Sequence, residues 1–402
     1  MSVLKDKKIL LGISAGIAAY KTAPLVRLFI KAGAQVKVIM TPASKEFVTP
    51  LTLSTLSKNK VISSFTDKED ENATWNSHVD LGLWADFMLI APATANTLSK
   101  MATGTSDNML LATYLSAKCP VYFAPSMDLD MFQHPATKKS LQILQSYGNC
   151  MIPAESGELA SGLFGEGRMA EPENILSFIE SHLREKMPLS NKKVMITAGP
   201  TYEALDPVRF IGNHSSGKMG FELAKEAAKL GAEVILISGP SHLNLENSNI
   251  RLIRVTSALE MYNAAHEFYA TMDVAIAAAA VSDYKPKTVA KQKMKKQEAV
   301  LAIELMPTQD ILASLGKLKK NQKLVGFALE TNNELENAKG KLERKNLDFI
   351  VLNSLNDEGA GFKSDTNKIK IITKSEVKTF GLKSKSEVAR DILNEVILLL
   401  NE

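Results

Sequence analysis

Apolar residues along this chain fall in short runs that end on glycine or a small polar loop, with helical periodicity between them. Near the start, Lys7-Lys8-ILLGISAG gives a strand and a glycine turn, a helical segment follows, and KAGAQVKVIMTPAS gives a second strand. From residue 192 the pattern recurs as Lys192-Lys193-VMITAGPT, a longer loop, a helical segment and KLGAEVILISGPS. Strand, crossover helix and second buried strand spell a βαβ unit of a parallel sheet, so each half predicts one. Gly33 and Gly231 stand where the helices end, a position at which φ is often positive. VDLGLWADFMLIAPATAN and CPVYFAPSMD extend the first half; MDVAIAAAAVSDY, KLVGFALET and LDFIVLNS extend the second. Each apolar run breaks into a loop at its C-terminal end, the edge where open α/β sheets hold ligands. SHLREKMPLSNKK lacks strand character and contains Pro188, so the boundary is expected near 188–191, dividing the chain into residues 1–189 and 190–402. The Lys-rich stretch 285–297 reads as an exposed loop.

Composition narrows the class. A chain of 402 residues favours two or three domains and has ample length to bury real cores. The net charge of +4 suits anionic ligands, and with no basic stripe carrying interleaved aromatics, nucleic acid is not expected as a partner. Cys119 and Cys150 are the two cysteines and lie in no metal-ligand spacing, which argues against a disulfide framework or zinc and for a reducing cytoplasm. Lys5, Lys7 and Lys8 before the apolar residues 9–19 imitate a secretion signal. That stretch holds Gly12, Ser14 and Gly16 and ends at Tyr20-Lys21 without a cleavage site, so it reads as a strand and turn. Nothing else approaches the roughly 20 apolar residues of a membrane span.

Several loops carry chemistry. The first strand runs into Gly12-Ile13-Ser14-Ala15-Gly16, where helix-start N–H groups and the Ser14 hydroxyl offer an anion site. The spacing is not G-x-G-x-x-G, which disfavours NAD. Ala91-Pro92-Ala93-Thr94-Ala95-Asn96 and Ala124-Pro125-Ser126-Met127-Asp128 both follow strands, and His78 begins a segment ending in Trp84-Ala85-Asp86. Together with GISAGIAAYK, these motifs resemble the homo-oligomeric flavin-containing cysteine decarboxylases, and GELASGLFGEGRM (157–169) looks like that family's substrate-covering flap. In the second half, AGPTYEALDPVRFIGNHSSGKMG (198–220) extends the match. Over nearly all its length the chain resembles the bifunctional phosphopantothenoylcysteine decarboxylase/phosphopantothenate–cysteine ligases of coenzyme A synthesis.

The resemblance implies an α/β chain with a flavodoxin-like N-terminal domain followed by a Rossmann-like ligase domain. It implies FMN held by Gly12, Ser14, Gly16, Thr41, Pro92, Ala93, Thr94 and Asn96, with His78 as catalytic base and Gly162, Arg168 and Met169 in the flap. Loss of carbon dioxide from an N-acyl cysteine leaves a carbanion without a sink; oxidising the thiol to a thioaldehyde creates one, and FMN can take the hydride and return it. Two positions depart from the family. Asp128 replaces an Asn, and a carboxylate cannot donate a hydrogen bond as the amide does. Ser161 replaces the Cys that acts as acid, and a hydroxyl is a much weaker acid than a thiol.

Gly212 to Lys218 fits the spacing G-x-x-x-x-G-K, but Met219 stands where a P-loop has Ser or Thr, and the flanking residues match the ligase motif instead. The ligase family activates 4′-phosphopantothenate with CTP as an acyl-cytidylate, from which the cysteine amine displaces CMP. By resemblance, Asn213 handles the acyl-cytidylate, Arg209 turns it over and Lys293 is a mobile catalytic lysine. Ala279, Ala280, Asp283, Gln309, Asp310, Ile311, Leu312, Phe327, Lys341 and Lys345 match CTP-binding positions, with Asp283 the candidate Mg2+ contact. Read from spacing alone, Lys341 and Lys345 are one solvated helix face. The expected partners are these small molecules and further copies of the chain, through trimeric decarboxylase and dimeric ligase contacts, with no membrane. A flavin prenyltransferase shares the first architecture but not the ligase half. Still open is a ligase whose N-terminal half is a regulatory or flavin-binding subunit, or has altered specificity.

Overall fold

A computed structural model describes residues 2–66, 75–294, 302–330, 332–354 and 364–401. The chain is α/β and divides into two units, Met1–Leu183 and Arg184–Glu402.

In the first unit, β1 (Lys8–Ile13) leads through a 3-10 turn, Ile17–Lys21, into α1 (Thr22–Lys31) and β2 (Gln35–Met40). Next come α2 (Pro50–Ser57), β3 (Val61–Ile62), α3 (His78–Trp84), β4 (Phe87–Ala93), α4 (Ala95–Thr103), α5 (Met109–Ser116) and β5 (Val121–Pro125). The unit continues with α6 (Leu129–Gln133), α7 (Pro135–Ser146), β6 (Cys150–Met151), the hairpin β7 (Glu155–Glu158) and β8 (Phe164–Arg168), and α8 (Pro172–Glu185). Six parallel strands lie in the order β3-β2-β1-β4-β5-β6. β4 is buried at every position, as a parallel strand covered on both faces must be. Alternation in β1 feeds two cores, with Ile9, Leu11 and Ile13 on one face and Leu10 on the other. The strand reaches Ala93, so of the loop expected over 91–96 only the residues from Thr94 leave the sheet.

The second unit opens with β9 (Lys193–Ala198), the hairpin β10 (Tyr202–Ala204) and β11 (Phe210–Gly212), α9 (Lys218–Lys229), β12 (Glu233–Ser238) and β13 (Ile250–Arg254). α10 (Ala258–Tyr269), β14 (Val274–Ala277), the antiparallel pair β15 (Tyr284–Pro286) and β16 (Leu305–Pro307), α11 (Ile311–Leu318), β17 (Lys323–Glu330), α12 (Glu334–Arg344) and β18 (Phe349–Ser354) follow. The chain closes with β19 (Thr366–Asn367), β20 (Ile369–Ile372), β21 (Val377–Thr379), β22 (Lys383–Ser384) and α13 (Lys385–Leu400). Its sheet runs β13-β12-β9-β14-β17-β18-β20-β21, parallel as far as β18 and antiparallel beyond. The six parallel strands repeat the connectivity of the first unit. That order reverses direction between β1 and β4, and again between β9 and β14, and ligands bind at such switch points.

Gly33 and Gly231 have φ of +88° and +101°, as their place after a helix predicts. Of the Lys-rich stretch, Lys285 lies in β15, Lys287, Lys291 and Lys293 are exposed, and residues 295–297 lie outside the described residues. Among the described residues, no helix is long and apolar enough to cross a membrane.

At the C-terminal edge of the second sheet, Gly239 meets backbone. A Cβ there would stand 1.7 Å from the Pro200 carbonyl oxygen. Gly239→Ala is therefore expected to destabilise this unit by about 3 kcal/mol, because the obstruction is main chain and cannot rotate away. Denaturant unfolding checks this, and a transition midpoint equal to wild type would contradict it.

Candidate functional sites

In the first unit the C-terminal edges of β1, β2, β4 and β5 open into a cavity of about 970 Å3. Its lining includes Gly16, Thr41, Thr94 and Asn96 from the strand-end loops, and Asp128, Ser161, Arg168 and Met169 from the α6 start and the flap. The N-terminus of α4 contributes Ala95, Asn96 and Thr97, so the positive end of a helix dipole faces the space. Thr41 Oγ1 is buried there without a hydrogen-bond partner. A buried hydroxyl left unpaired costs free energy, and a polar ligand group would satisfy it. Volume, helix terminus and orphaned hydroxyl fit a phosphorylated flavin.

Other expected flavin residues serve the loop framework. Ser14 is 1% exposed, and its hydroxyl donates to the Pro92 carbonyl (2.7 Å) while accepting from the Thr94 N–H (3.1 Å). Its one proton is spent inside the protein, so Ser14 ties two loops together and offers no free donor to a phosphate. Pro92 and Ala93 sit in β4, and Gly12 is packed against Leu110, whose side chain a Cβ would meet at 3.1 Å. None of these four is among the cavity-lining residues, and neither is Gly162, whose φ is +83° at the flap tip.

His78 opens α3 behind the Ser77 cap, with its ring edge-on to Phe65 at 6.0 Å. It too is absent from the lining of this cavity. Its Nδ1 is buried without a partner, unlike a structural imidazole, whose nitrogens are normally hydrogen-bonded. Around it, Trp75, Val79, Leu83 and Leu115 expose apolar side chains, 60% in the case of Trp75.

The two unusual residues touch each other. Ser161 Oγ donates to Asp128 Oδ1 (3.0 Å), which also accepts from the Leu129 N–H (2.7 Å). The flap tip is thereby tied to the N-terminal cap of α6. The cations of the cavity are already paired. Lys21, missed in the sequence because it follows an apolar run, is 4% exposed and donates to the Met169 carbonyl (2.8 Å) and Glu171 (3.0 Å). Arg168 also reaches Glu171, at 2.6 Å. Burial works against the Glu171 charge, but Lys21 and Arg168 outweigh it and hold the carboxyl below its usual range. Lys100 pairs with Asp107. Among the described residues Asp128 has no such cation.

In the second unit, the residues after β9 and β14 face each other across the switch point. Asn213 Nδ2 donates to the carbonyls of Ala280 (3.0 Å) and Val281 (3.2 Å), joining the 198–220 motif to the small-residue loop. That loop is pinned from below: the Ala279 N–H donates to Thr197 Oγ1, the Ala280 N–H to the Gly199 carbonyl and the Ser282 N–H to Thr201 Oγ1. The N–H groups of Ala279 and Ala280 are therefore engaged within the protein. A hairpin separates β9 from α9, whereas a P-loop joins strand to helix directly, and Met219 packs on the core.

Asp206 was not legible as a site residue. Its side chain is fully buried; Oδ1 accepts the N–H groups of Val208 (2.7 Å) and Arg209 (2.8 Å), and Oδ2 accepts that of Met294 (3.1 Å). Burial opposes its ionisation, but these donors and the Arg209 guanidinium prevail and hold its carboxyl low. One carboxylate thus fixes Arg209 against the segment carrying the exposed Lys293. Asp283 is exposed, and its carbonyl accepts the Thr308 N–H.

At the remaining positions, Asp310 caps α11 and pairs with Lys345 (2.8 Å), while Lys341 pairs with Glu330 (2.6 Å). Lys345 follows α12 as its cap, so the two lysines are held by separate carboxylates and do not form a bare solvated face. Ile311 is buried in one core with Leu312 packed on it, Phe327 packs on the other core of this unit, and Gln309 is exposed. Ile311 could meet a nucleotide only through its backbone. Among the described residues, no cluster of three His, Cys, Asp or Glu could hold a metal ion.

Comparison with known proteins agrees with two functional units. A family model described as Flavoprotein matches residues 2–184, and one described as DNA/pantothenate metabolism flavoprotein C-terminal domain matches residues 189–399. The chain is 46% identical over 401 residues to the coenzyme A biosynthesis bifunctional protein CoaBC of Bacillus subtilis (strain 168), covering 99% of this chain and 98% of that one. It is 55% identical over 360 residues to a cysteine/cysteine sulfinic acid decarboxylase of an unknown prokaryotic organism, covering 88% of this chain and 100% of that one. Among solved structures, the C-terminal domain of a CoaBC protein is 43% identical, covers 54% of this chain and 99% of its own, and aligns with a TM-score of 0.47.

Proposed function

The chain belongs to the family of bifunctional coenzyme A biosynthesis proteins, and from that premise we propose that its second unit joins cysteine to 4′-phosphopantothenate and its first decarboxylates the product. The observation that carries this reading is the end-to-end match at 46% identity, which includes both units in order. The functional division is placed at 1–189 and 190–402, with the chain in the cytoplasm, where its two free cysteines stay reduced.

In the ligase unit, CTP activates the pantothenate carboxylate, and charge builds on phosphate and acyl oxygens. Arg209 and Lys293 are the cations that meet it. Asn213 holds its loop against 280–281 and presents the acyl-cytidylate to the cysteine amine. Gln309, Asp310, Phe327, Lys341 and Lys345 surround the nucleotide, the two lysines exchanging their carboxylate partners for phosphates. Mg2+ accompanies the triphosphate, and the exposed Asp283 is its nearest candidate ligand.

In the decarboxylase unit, FMN would lie in the 970 Å3 cavity, held by Gly16, Thr41, Thr94, Asn96 and the N–H groups at the start of α4. When bound it supplies a reversible hydride acceptor. The protein's part is to orient the substrate, to exclude water under the flap and to move protons. His78 is the base, and since it does not line the cavity of its own chain, a second copy supplies it. The exposed Trp75, Val79, Leu83 and Leu115 are the surface that copy would cover.

One observation favours a second reading. The 55% identical relative is named for decarboxylation of cysteine and cysteine sulfinic acid, and Asp128 and Ser161 alter the very wall a different substrate would touch. FMN-loaded protein given 4′-phosphopantothenoylcysteine, cysteine or cysteine sulfinate separately distinguishes the two. Carbon dioxide is expected from the first. Release only from the free amino acids would establish altered specificity, and release from none would leave a flavin-binding domain fused to a ligase.

A further inference from the structure

Asp128 and Ser161 stand at the two positions where the family carries an amide and a thiol, and the structure places them in hydrogen-bond contact at 3.0 Å on the wall of the flavin cavity. Losing the thiol removes the acid that completes the reaction, and a serine hydroxyl does not replace it. Ser161 does not stand alone, however. Its proton points at a carboxylate, a group that in its protonated form is a stronger acid than the missing thiol. The cavity cations are engaged elsewhere, Lys21 and Arg168 with Glu171 and Lys100 with Asp107, and Glu158 is a further carboxylate on the lining. Among the described residues Asp128 has no cation partner.

We propose that the Asp128–Ser161 pair stands in for the missing thiol acid and delivers a proton through Ser161 to the α-carbon after carbon dioxide has left, the substrate's thiol proton having gone to His78. This rests on the decarboxylase reading of the first unit. In the first step the S–H bond breaks and its proton passes to His78, the base proposed above. In the second, the bond between the α-carbon and the carboxylate breaks and its electron pair forms the enethiolate. In the third, Ser161 protonates the α-carbon and is reprotonated through Asp128, which draws that proton from water. Bound FMN would supply the reversible hydride acceptor for the β-carbon, and the final thiolate takes back the proton held by His78. Atoms and electrons balance with no further reagent. The same pair closes the flap, because proton transfer requires the contact that ties the flap to α6.

The test uses FMN-loaded full-length protein and 4′-phosphopantothenoylcysteine, with carbon dioxide and thiol products followed together by mass spectrometry. Wild type is expected to give the saturated aminoethanethiol. In a single turnover, Asp128→Asn is expected to retain carbon dioxide release within about 10-fold, yet to form the saturated product about 100-fold more slowly, leaving reduced FMN and a thiol two mass units lighter. The double variant D128N/S161C restores an amide and a thiol and is expected to recover the saturated product. FMN content and melting temperature report whether each variant is folded. A purely structural role for the pair would lower both products together and would not be rescued by the thiol. The proposal is overturned if D128N makes saturated product in the wild-type ratio, if it releases no carbon dioxide while folded, or if D128N/S161C does no better than D128N. No carbon dioxide from wild type would instead remove the decarboxylase reading beneath it.

Discussion

Replacing Asn213 with Asp is expected to lower cysteine ligation by about 100- to 1000-fold while decarboxylation stays within about twofold of wild type. The amide donates two hydrogen bonds, to the carbonyls of Ala280 and Val281. A carboxylate donates none. It would also set a negative charge against two carbonyl oxygens, at the place where the proposed ligase reading puts the triphosphate and the developing acyl oxygen. Two lost bonds and this repulsion amount to about 3–4 kcal/mol of transition-state stabilisation, which gives the stated range. CTP-dependent pyrophosphate release measures the first activity, and carbon dioxide from added 4′-phosphopantothenoylcysteine measures the second. Equal loss of both would contradict independent sites in the two units.

His78→Asn is expected to reduce carbon dioxide release by about 1000-fold, with FMN still bound and ligation unaffected. Asn keeps polarity and approximate size at the first turn of α3 but cannot accept a proton. Because His78 lies outside the cavity lining of its own chain, the loss should be complementable. Inactive H78N mixed with an inactive cavity variant such as Asn96→Ala should regain activity when subunits exchange, since some sites then receive an intact His78 and an intact cavity. Activity that never rises on mixing would place both residues in the same chain's site. A mild effect of H78N alone would return His78 to a structural role.

The sequence made the scaffold legible because its signals are local and repeated. Strand–glycine–helix punctuation marks β1 and β9, and buried runs without alternation mark β4 and β14. The equal strand order of the two sheets follows from the same punctuation occurring twice. Position was legible where a motif fixes a loop, as with Thr41 and Asn96 on the cavity wall and Asn213 against the 280–281 loop. Role was not legible where it depends on which group a side chain meets across the fold. Ser14 reads as a phosphate donor until its proton is found on the Pro92 carbonyl. Asp206 reads as one more turn residue until Met294, 88 positions away, is found on its second oxygen. Asp128 and Ser161 read as two separate defects, and only the folded hairpin makes them a pair.

The central claim is that one chain carries out two consecutive reactions. Mass spectrometry of a single incubation containing FMN-loaded protein, 4′-phosphopantothenate, cysteine, CTP and Mg2+ tests it most directly. The expected result is CMP and transient 4′-phosphopantothenoylcysteine, followed by 4′-phosphopantetheine. Accumulation of 4′-phosphopantothenoylcysteine without further conversion, or no CTP-dependent product at all, would contradict it.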